Sequence, residues 1–301
     1  MISIKDYLIK VYEDFSQYVD EENELCILKT LNYQKGMTPD YNDIHIQQLY
    51  LLRYAFSYAF EYKSMFGTLF AREKYVDSIN VASIGCGSMI DYWALVGALE
   101  EFGVKDCKII YRGVDCIDWN YKIEQRIQDK IKFKETNVTS IFAGEGELIS
   151  DVYIFPKSIS EFSDEEFKIV CTGFETKKMV KDNVHVLISI RSDEGSMDRD
   201  MDRSGKIISA MSKNGFYTKD KPTKYIQFVD EGKGIKGLDY KFEYPDRAIE
   251  LIKTLNEQCR KFVENSENCV EECKKYLNRW PVLRAKNIKY QILTFHRKVS
   301  V

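Results

Sequence analysis

The chain has 301 residues, 44% hydrophobic and 30% charged, with a formal net charge of −3. This length buries a substantial core and suits one large domain, or one domain with elaborations, of an ordered soluble protein. The slightly acidic balance argues against a broad basic surface for nucleic acid, although a local patch stays open.

No uncharged apolar run reaches about 18 residues, so no transmembrane helix and no membrane partner is expected. Lys5, Asp6 and Lys10 interrupt the start, which argues against a signal peptide. The eight cysteines form no C-x-x-C pair and the three histidines are scattered, so no zinc set is expected. Cys269 and Cys273 lie four apart, one helical turn, and are read as reduced thiols; a metal or a disulfide is the alternative. A cytoplasmic, reducing location is the expectation.

In chain order, Ile4, Leu8, Val11 and Phe15 predict a helix over 2–19. Residues 34–42, with Gly36 and Pro39, read as a linker or lid. A long helix is predicted at about 43–70. Leu49, Leu52, Phe56, Ala59 and Phe60 form its apolar face, and Tyr50, Tyr54, Tyr58 and Tyr62 a second stripe. That stripe either packs against the main domain or, with Arg53, Tyr54 or Tyr58, roofs a substrate pocket.

The central region alternates strands and helices. Strands are predicted at 79–84, 108–114, 131–135, 151–155 and 184–190, and helices at about 88–102 and 202–213. A short helix is predicted from Asp118, and another capped by Ser163 with Glu166 as capping-box partner. Residues 192–203, SDEGSMDRDMDR, read as an acidic loop. Two further strands, 223–229 and 288–296, are read as a hairpin pair at one side of the sheet, with amphipathic helices at 246–279 between them. Gly232, Gly234 and Gly237 lie in the link, outside any strand-turn-helix context. The basic tail, including Arg284, Lys286, Lys289, Arg297 and Lys298, reads as solvent-facing strand edge or as a nucleic-acid contact. The fold class is therefore α/β, an open, mostly parallel sheet. An N-terminal helical extension spans 1–75, and the main domain 76–301 carries a helical insertion at about 245–280.

The most informative stretch is INVASIGCGSMIDYWALVGAL, where an apolar strand meets Gly85-Cys86-Gly87 and Ser88 opens a helix. The two glycines permit a sharp turn and close approach of a ligand, and the helix start favours anions and polar groups. Asp115 closes the next strand, where carboxylates commonly accept ribose hydroxyls. A dinucleotide fingerprint requires a third glycine, and here that position is Ile90.

The segment VASIGCGSMIDYWAL resembles the first motif of class I S-adenosylmethionine-dependent methyltransferases. The resemblance covers about 79–229 plus 288–296. It implies a Rossmann-like methyltransferase sheet with one antiparallel strand among the last two, and S-adenosyl-L-methionine as cofactor. By position, Gly85, Cys86, Gly87 and Ser88 form the cofactor turn, Asp115 binds the ribose, and Cys116 and Ile117 flank the adenine. Asn137 and Val138 match the place that contacts the adenine ring or its amino group, with Asn137 where an acid is frequent. Phe155 ends the fourth strand beside the cofactor, and Lys157 and Ser158 follow at the substrate-facing position. Asp91, on the first turn of the helix, either caps helix N–H groups or touches the cofactor's amino group.

Methyl transfer needs little side-chain chemistry beyond alignment and exclusion of water, and a base only where the acceptor loses a proton. Ser158 and Glu161 are the catalytic candidates; Lys157, Arg191, Tyr54 and Tyr58 are the substrate candidates. The stretch FPKSISEF lacks the Asn/Asp-Pro-Pro-Tyr/Phe signature of the family's amino-methylating members and the Pro-Cys of its cytosine-C5 members. The expectation is methyl transfer with a small-molecule acceptor favoured. The alternatives are an RNA acceptor, a noncatalytic S-adenosylmethionine-binding or scaffold protein and, third, a dehydrogenase.

Overall fold

The computed structural model describes residues 3–22, 24–31, 39–75, 77–191, 194–227, 244–264, 275–283 and 288–298. Predicted features at 34–38, Ser192, Asp193, Gly232, Gly234, Gly237, Cys269, Cys273, Arg284 and Lys286 lie outside them. The chain divides into two compact units. One is Met1–Ala59 with Asp118–Glu124 and Asp230–Ala285; the other is Phe60–Ile117 with Gln125–Val229 and Lys286–Val301.

The first unit is helical. α1 (Ile4–Glu21) starts at Ser3, whose hydroxyl accepts from the Asp6 amide at 3.0 Å, and it buries the stripe Ile4, Leu8, Val11, Phe15 and Val19. α2 (Ile44–Phe70) belongs to this unit through Ala59. Asp43 caps it, accepting from the amides of His45 at 2.8 Å and Ile46 at 3.1 Å. Residues 118–124 form an irregular segment with a bend at Asn120 and Tyr121 rather than the predicted helix. Tyr121 ties them to both helices: its hydroxyl donates to Asp14 at 2.7 Å and accepts from Gln48 at 2.6 Å, and its carbonyl accepts from the Tyr7 hydroxyl at 2.7 Å. Arg53, which the alternative reading put at a pocket roof, is buried and donates to the carbonyls of Tyr276 and Leu277. The late helices are short pieces, α6 (Asp246–Lys253) and α7 (Arg260–Val263), joined through a 3-10 turn.

In the second unit, β1 (Ser78–Ile84), β2 (Lys108–Asp115), β3 (Lys130–Glu135), β4 (Val152–Phe155) and β5 (Asn183–Ile190) are mutually parallel. β6 (Phe216–Tyr217), β7 (Ile226–Gln227) and β8 (Lys289–Arg297) complete one sheet in the order β3-β2-β1-β4-β5-β8-β6, with β7 also on β8. β8 runs antiparallel to all three of its partners. The interior strands β4 and β5 are near-continuous apolar runs, as parallel strands covered on both sides require. β3, at one end of the order, carries Lys130, Lys132 and Lys134, which discourage pairing with another chain.

α3 (Ile90–Glu101) follows β1, α4 (Asp164–Thr176) follows β4, and α5 (Glu194–Lys213) follows β5. The Ser163–Glu166 capping box starts α4 as predicted. Tyr92 on α3 donates to Asp129 at 2.6 Å, and Asp129 accepts from the Ile109 amide at 3.0 Å and pairs with Arg126, which anchors α3 to β2. Under α4 and α5, Phe142, Tyr153, Phe174, Ile207, Met211 and Phe216 join one buried cluster.

The two late strands pair antiparallel as expected, β7 with β8, over the two residues of β7; β8 itself lies between β5 and β6, and the two-residue β6 was not predicted. The acidic run expected as a loop forms, from Glu194, the first half of α5, with Asp200, Arg203 and Ser204 buried. Among the described residues, no helix is long and apolar enough to cross a membrane.

Candidate functional site

The strand order reverses direction at β1: β2 lies on one side of it and β4 on the other. In open α/β sheets, ligands bind at such a switch point, outside the carboxyl ends of the strands. There the chain leaves β1 through a turn in which Gly85, Gly87 and Met89 all have positive φ, at 74°, 52° and 65°. The Gly85 and Cys86 amides both donate to the Val114 carbonyl, at 2.8 and 3.1 Å, binding the turn to the end of β2. Only a residue without Cβ fits at Gly85, since an added Cβ would lie 2.6 Å from the Ser158 Cβ. Gly85→Ala is therefore expected to cost about 2 kcal/mol or more from left-handed strain and this clash. Urea unfolding measures the loss, and adding Ser158→Gly should recover part of it.

Asp115 holds the turn from β2. One carboxylate oxygen accepts from the Gly87 amide at 2.7 Å and the other from the Ile117 amide at 3.0 Å. A carboxylate offers about four acceptor positions. Cys86 points into the protein. An added Cβ on Gly113 would lie 2.7 Å from its sulfur, and burial pushes its thiol well above the usual range. Ser88 is buried in the same turn, and Cys116, after Asp115, is exposed.

Asp91 does not face a ligand. It is buried on the first turn of α3, and the Tyr111 hydroxyl donates to its two oxygens at 2.9 and 3.0 Å. Burial pushes its carboxyl up to about 6, against that hydroxyl's opposing pull. The folded carboxyl thus keeps its proton to higher pH than the unfolded one. Its contribution to stability is complete below the ordinary value of 3.8 and is lost as pH rises through about 6. Asp91→Asn should gain stability relative to the parent across that window, by about 3 kcal/mol at most. Urea unfolding at pH 4 and pH 7 checks the sign.

The end of β4 gives the other wall. Phe155 is fully buried, in the core rather than at a ligand. The Ser158 hydroxyl donates to the Ile84 carbonyl, clasping the end of β4 to that of β1, which makes it a brace for the turn. Lys157, a non-glycine residue at φ 59°, turns its ammonium inward. It pairs with Glu61 of α2 at 2.9 Å and donates to the Ile190 carbonyl. Glu61 also accepts from the Ser189 hydroxyl, and burial raises its carboxyl against Lys157 and Ser189. Asp200 of α5 is buried beyond them, one oxygen accepting from the Arg191 amide at 2.9 Å; burial pushes its carboxyl up to about 6. Sequence reading missed Glu61, Ser189 and Asp200; the one signal for Glu61 was a lone acid inside the apolar stretch AFSYAFEYKSMF.

Arg191 and Glu161 meet as an ion pair, each side chain part-exposed at 21% and 30%. Asn137 caps the 3-10 turn that begins at Val138. Its carbonyl oxygen accepts from the Thr139 amide at 2.9 Å and hydroxyl at 2.6 Å, while its amide nitrogen donates to Glu166 at 3.0 Å. Val138 is buried against the core. Tyr54 and Tyr58 belong to the first unit, where their rings stack at 5.8 Å.

No protein-family model matches the chain, and no curated protein sequence does. Among solved structures, it is similar to the plantazolicin methyltransferase BpumL in complex with SAH, at 10% identity over 96% of this chain and 100% of that one, TM-score 0.41. It is similar to a loganic acid methyltransferase with SAH, at 10% identity over 88% and 98%, TM-score 0.41. It is similar to the YcgJ protein from Bacillus subtilis, at 11% identity over 79% and 99%, TM-score 0.39. The strand order, the antiparallel β8 and the glycine turn at the switch point give the second unit a Rossmann-like α/β fold.

Proposed function

We propose that the chain binds S-adenosyl-L-methionine at the β1–β4 switch point and transfers its methyl group to a small-molecule acceptor. The observation that carries this reading is the left-handed turn Gly85–Met89 locked to Asp115 through the Gly87 amide at 2.7 Å. A glycine-lined turn beside a carboxylate with acceptor capacity suits an adenosyl group, with Asp115 on the ribose hydroxyls. Gly85, Cys86, Gly87 and Ser88 would hold the methionine and ribose part through their backbone. Cys116 and the Asn137–Val138 turn, through backbone and the remaining amide hydrogen, would border the adenine. Ile90, buried where a dinucleotide fingerprint has its third glycine, disfavours NAD.

When bound, the sulfonium supplies an electrophilic methyl group. The protein's task is to align the acceptor and exclude water. Glu161 is the base available to an acceptor that must lose a proton, and Arg191 beside it suits an acceptor carrying a carboxylate or phosphate. Ser158 acts as the brace of the turn and Lys157 as a buried strut, rather than touching acceptor. A small molecule is favoured because the net charge of −3 supplies no general attraction for a polyphosphate chain.

Isothermal calorimetry with S-adenosylmethionine, S-adenosylhomocysteine and NAD tests the cofactor. Saturable binding of both sulfur compounds and none of NAD is expected; NAD binding alone would sink the proposal. Labelled methyl donor incubated with metabolite, RNA and protein pools then separates the acceptor classes, and binding without labelled product in any pool would mark a noncatalytic protein.

A further inference from the structure

The first unit holds a cluster of five aromatic rings. Tyr50 is their hub. Its ring lies 5.2 Å from Tyr41, 5.3 Å from Tyr54, 6.0 Å from Tyr58 and 5.4 Å from Trp119. Tyr54 and Tyr58 stack nearly parallel, 13° apart, and Tyr41 touches Trp119 at 5.2 Å. The i, i+4 spacing along α2 puts three of the rings on one face.

Two features separate this cluster from ordinary core. The four tyrosines are only half-buried, whereas Trp119 is 5% exposed. The Trp119 indole N–H has no hydrogen-bond partner among the described residues. Buried indole N–H groups usually find an acceptor, because leaving one unmade is costly.

The arrangement is also built in advance. Gln47 of α2, 1% exposed, donates to the Tyr41 carbonyl at 2.7 Å and accepts from the Asn120 amide at 2.9 Å. One buried side chain therefore fixes both segments that bring rings to the α2 face.

We propose that this cluster binds a planar aromatic molecule carrying an oxygen acceptor, stacked on the tyrosine rings and accepting from the Trp119 indole N–H. A quaternary ammonium also suits aromatic faces. It has no acceptor, however, and would leave the indole N–H unmade. The proposal stands whether or not the chain transfers methyl groups.

Ligand-observed NMR titration of the full chain tests it, with benzoate, its saturated counterpart cyclohexanecarboxylate, and tetramethylammonium. Benzoate is expected to bind about tenfold tighter than cyclohexanecarboxylate, from two aromatic contacts. Tyr54→Leu with Tyr58→Leu should erase that preference. Trp119→Phe keeps a ring, removes the donor together with the pyrrole part of the indole, and should weaken benzoate about fivefold; it carries the test if the double variant does not fold. No saturable benzoate binding, tighter binding of tetramethylammonium, or unchanged benzoate affinity in the Trp119→Phe protein each overturns the assignment.

Discussion

Replacing Asp115 by alanine is expected to weaken S-adenosylhomocysteine binding at least about 100-fold by calorimetry, equivalent to about 2.7 kcal/mol. The carboxylate has two duties. It accepts charge-assisted bonds from the Gly87 and Ile117 amides, each worth about 1.5–3 kcal/mol, and on the proposed reading it also takes the ribose hydroxyls. Alanine removes the acceptor and leaves two amides unanswered beside a turn of three left-handed residues. Asparagine at the same position would not rescue the site, since an amide offers its oxygen to one of the two donors and turns its NH₂ toward the other. The Asp115→Asn protein should therefore fall close to the alanine variant. Affinity within about threefold of the parent in both would reject the ribose assignment.

The largest effect on stability is expected at Lys157. Lys157→Met leaves the Glu61 carboxylate buried, 1% exposed, without its cation, and breaking a buried pair from one side costs about 3–5 kcal/mol. Adding Glu61→Gln should recover most of that loss, because the uncompensated charge is gone. Urea midpoints for the two single variants and the double variant give the coupling. The pH dependence has a fixed sign. Burial holds the Glu61 carboxyl above its ordinary 4.5, so its contribution is complete below that pH and declines as pH rises through the folded value. Without Lys157 the folded value climbs further, and the Lys157→Met deficit should shrink in acid. A deficit under about 0.5 kcal/mol at neutral pH would mean that the pair is not a buried one.

The parts of this fold that could be read from sequence are those in which one local signal decides the matter. VHVLISI is apolar on both faces and becomes β5; Ser163 with Glu166 marks the start of α4; Gly85 and Gly87 require the turn they form. The illegible parts depend on partners distant in sequence. Nothing local says that 289–297 will enter between β5 and a two-residue β6. Asp200 sits in a run of charges that reads as solvated. Only the spacing of Met197, Ser204, Ile207 and Met211 marks a helix whose inner face carries it. The site divides the same way. The turn and Asp115 were visible because backbone demands fix residue type there. Lys157, Ser158 and Asp91 were read as site residues, but their side chains point to Glu61, the Ile84 carbonyl and Tyr111, which are contacts of the tertiary fold.

The position of β8 bears on how this chain is made. β5 pairs on one side with β4, already synthesised, but its other edge waits for Lys289–Arg297. Between them the ribosome must deliver Asp230–Ala285, which belongs to the other unit. A nascent chain therefore carries NVHVLISI as an open apolar edge until Lys289–Arg297 is delivered about a hundred residues later, and that edge is the kind of strand that templates aggregation. The first unit waits for Asp230–Ala285 and the second for Lys286–Val301. Closure of the sheet is expected to wait for those segments, and holding that one edge apart from its neighbours is the service a chaperone would render.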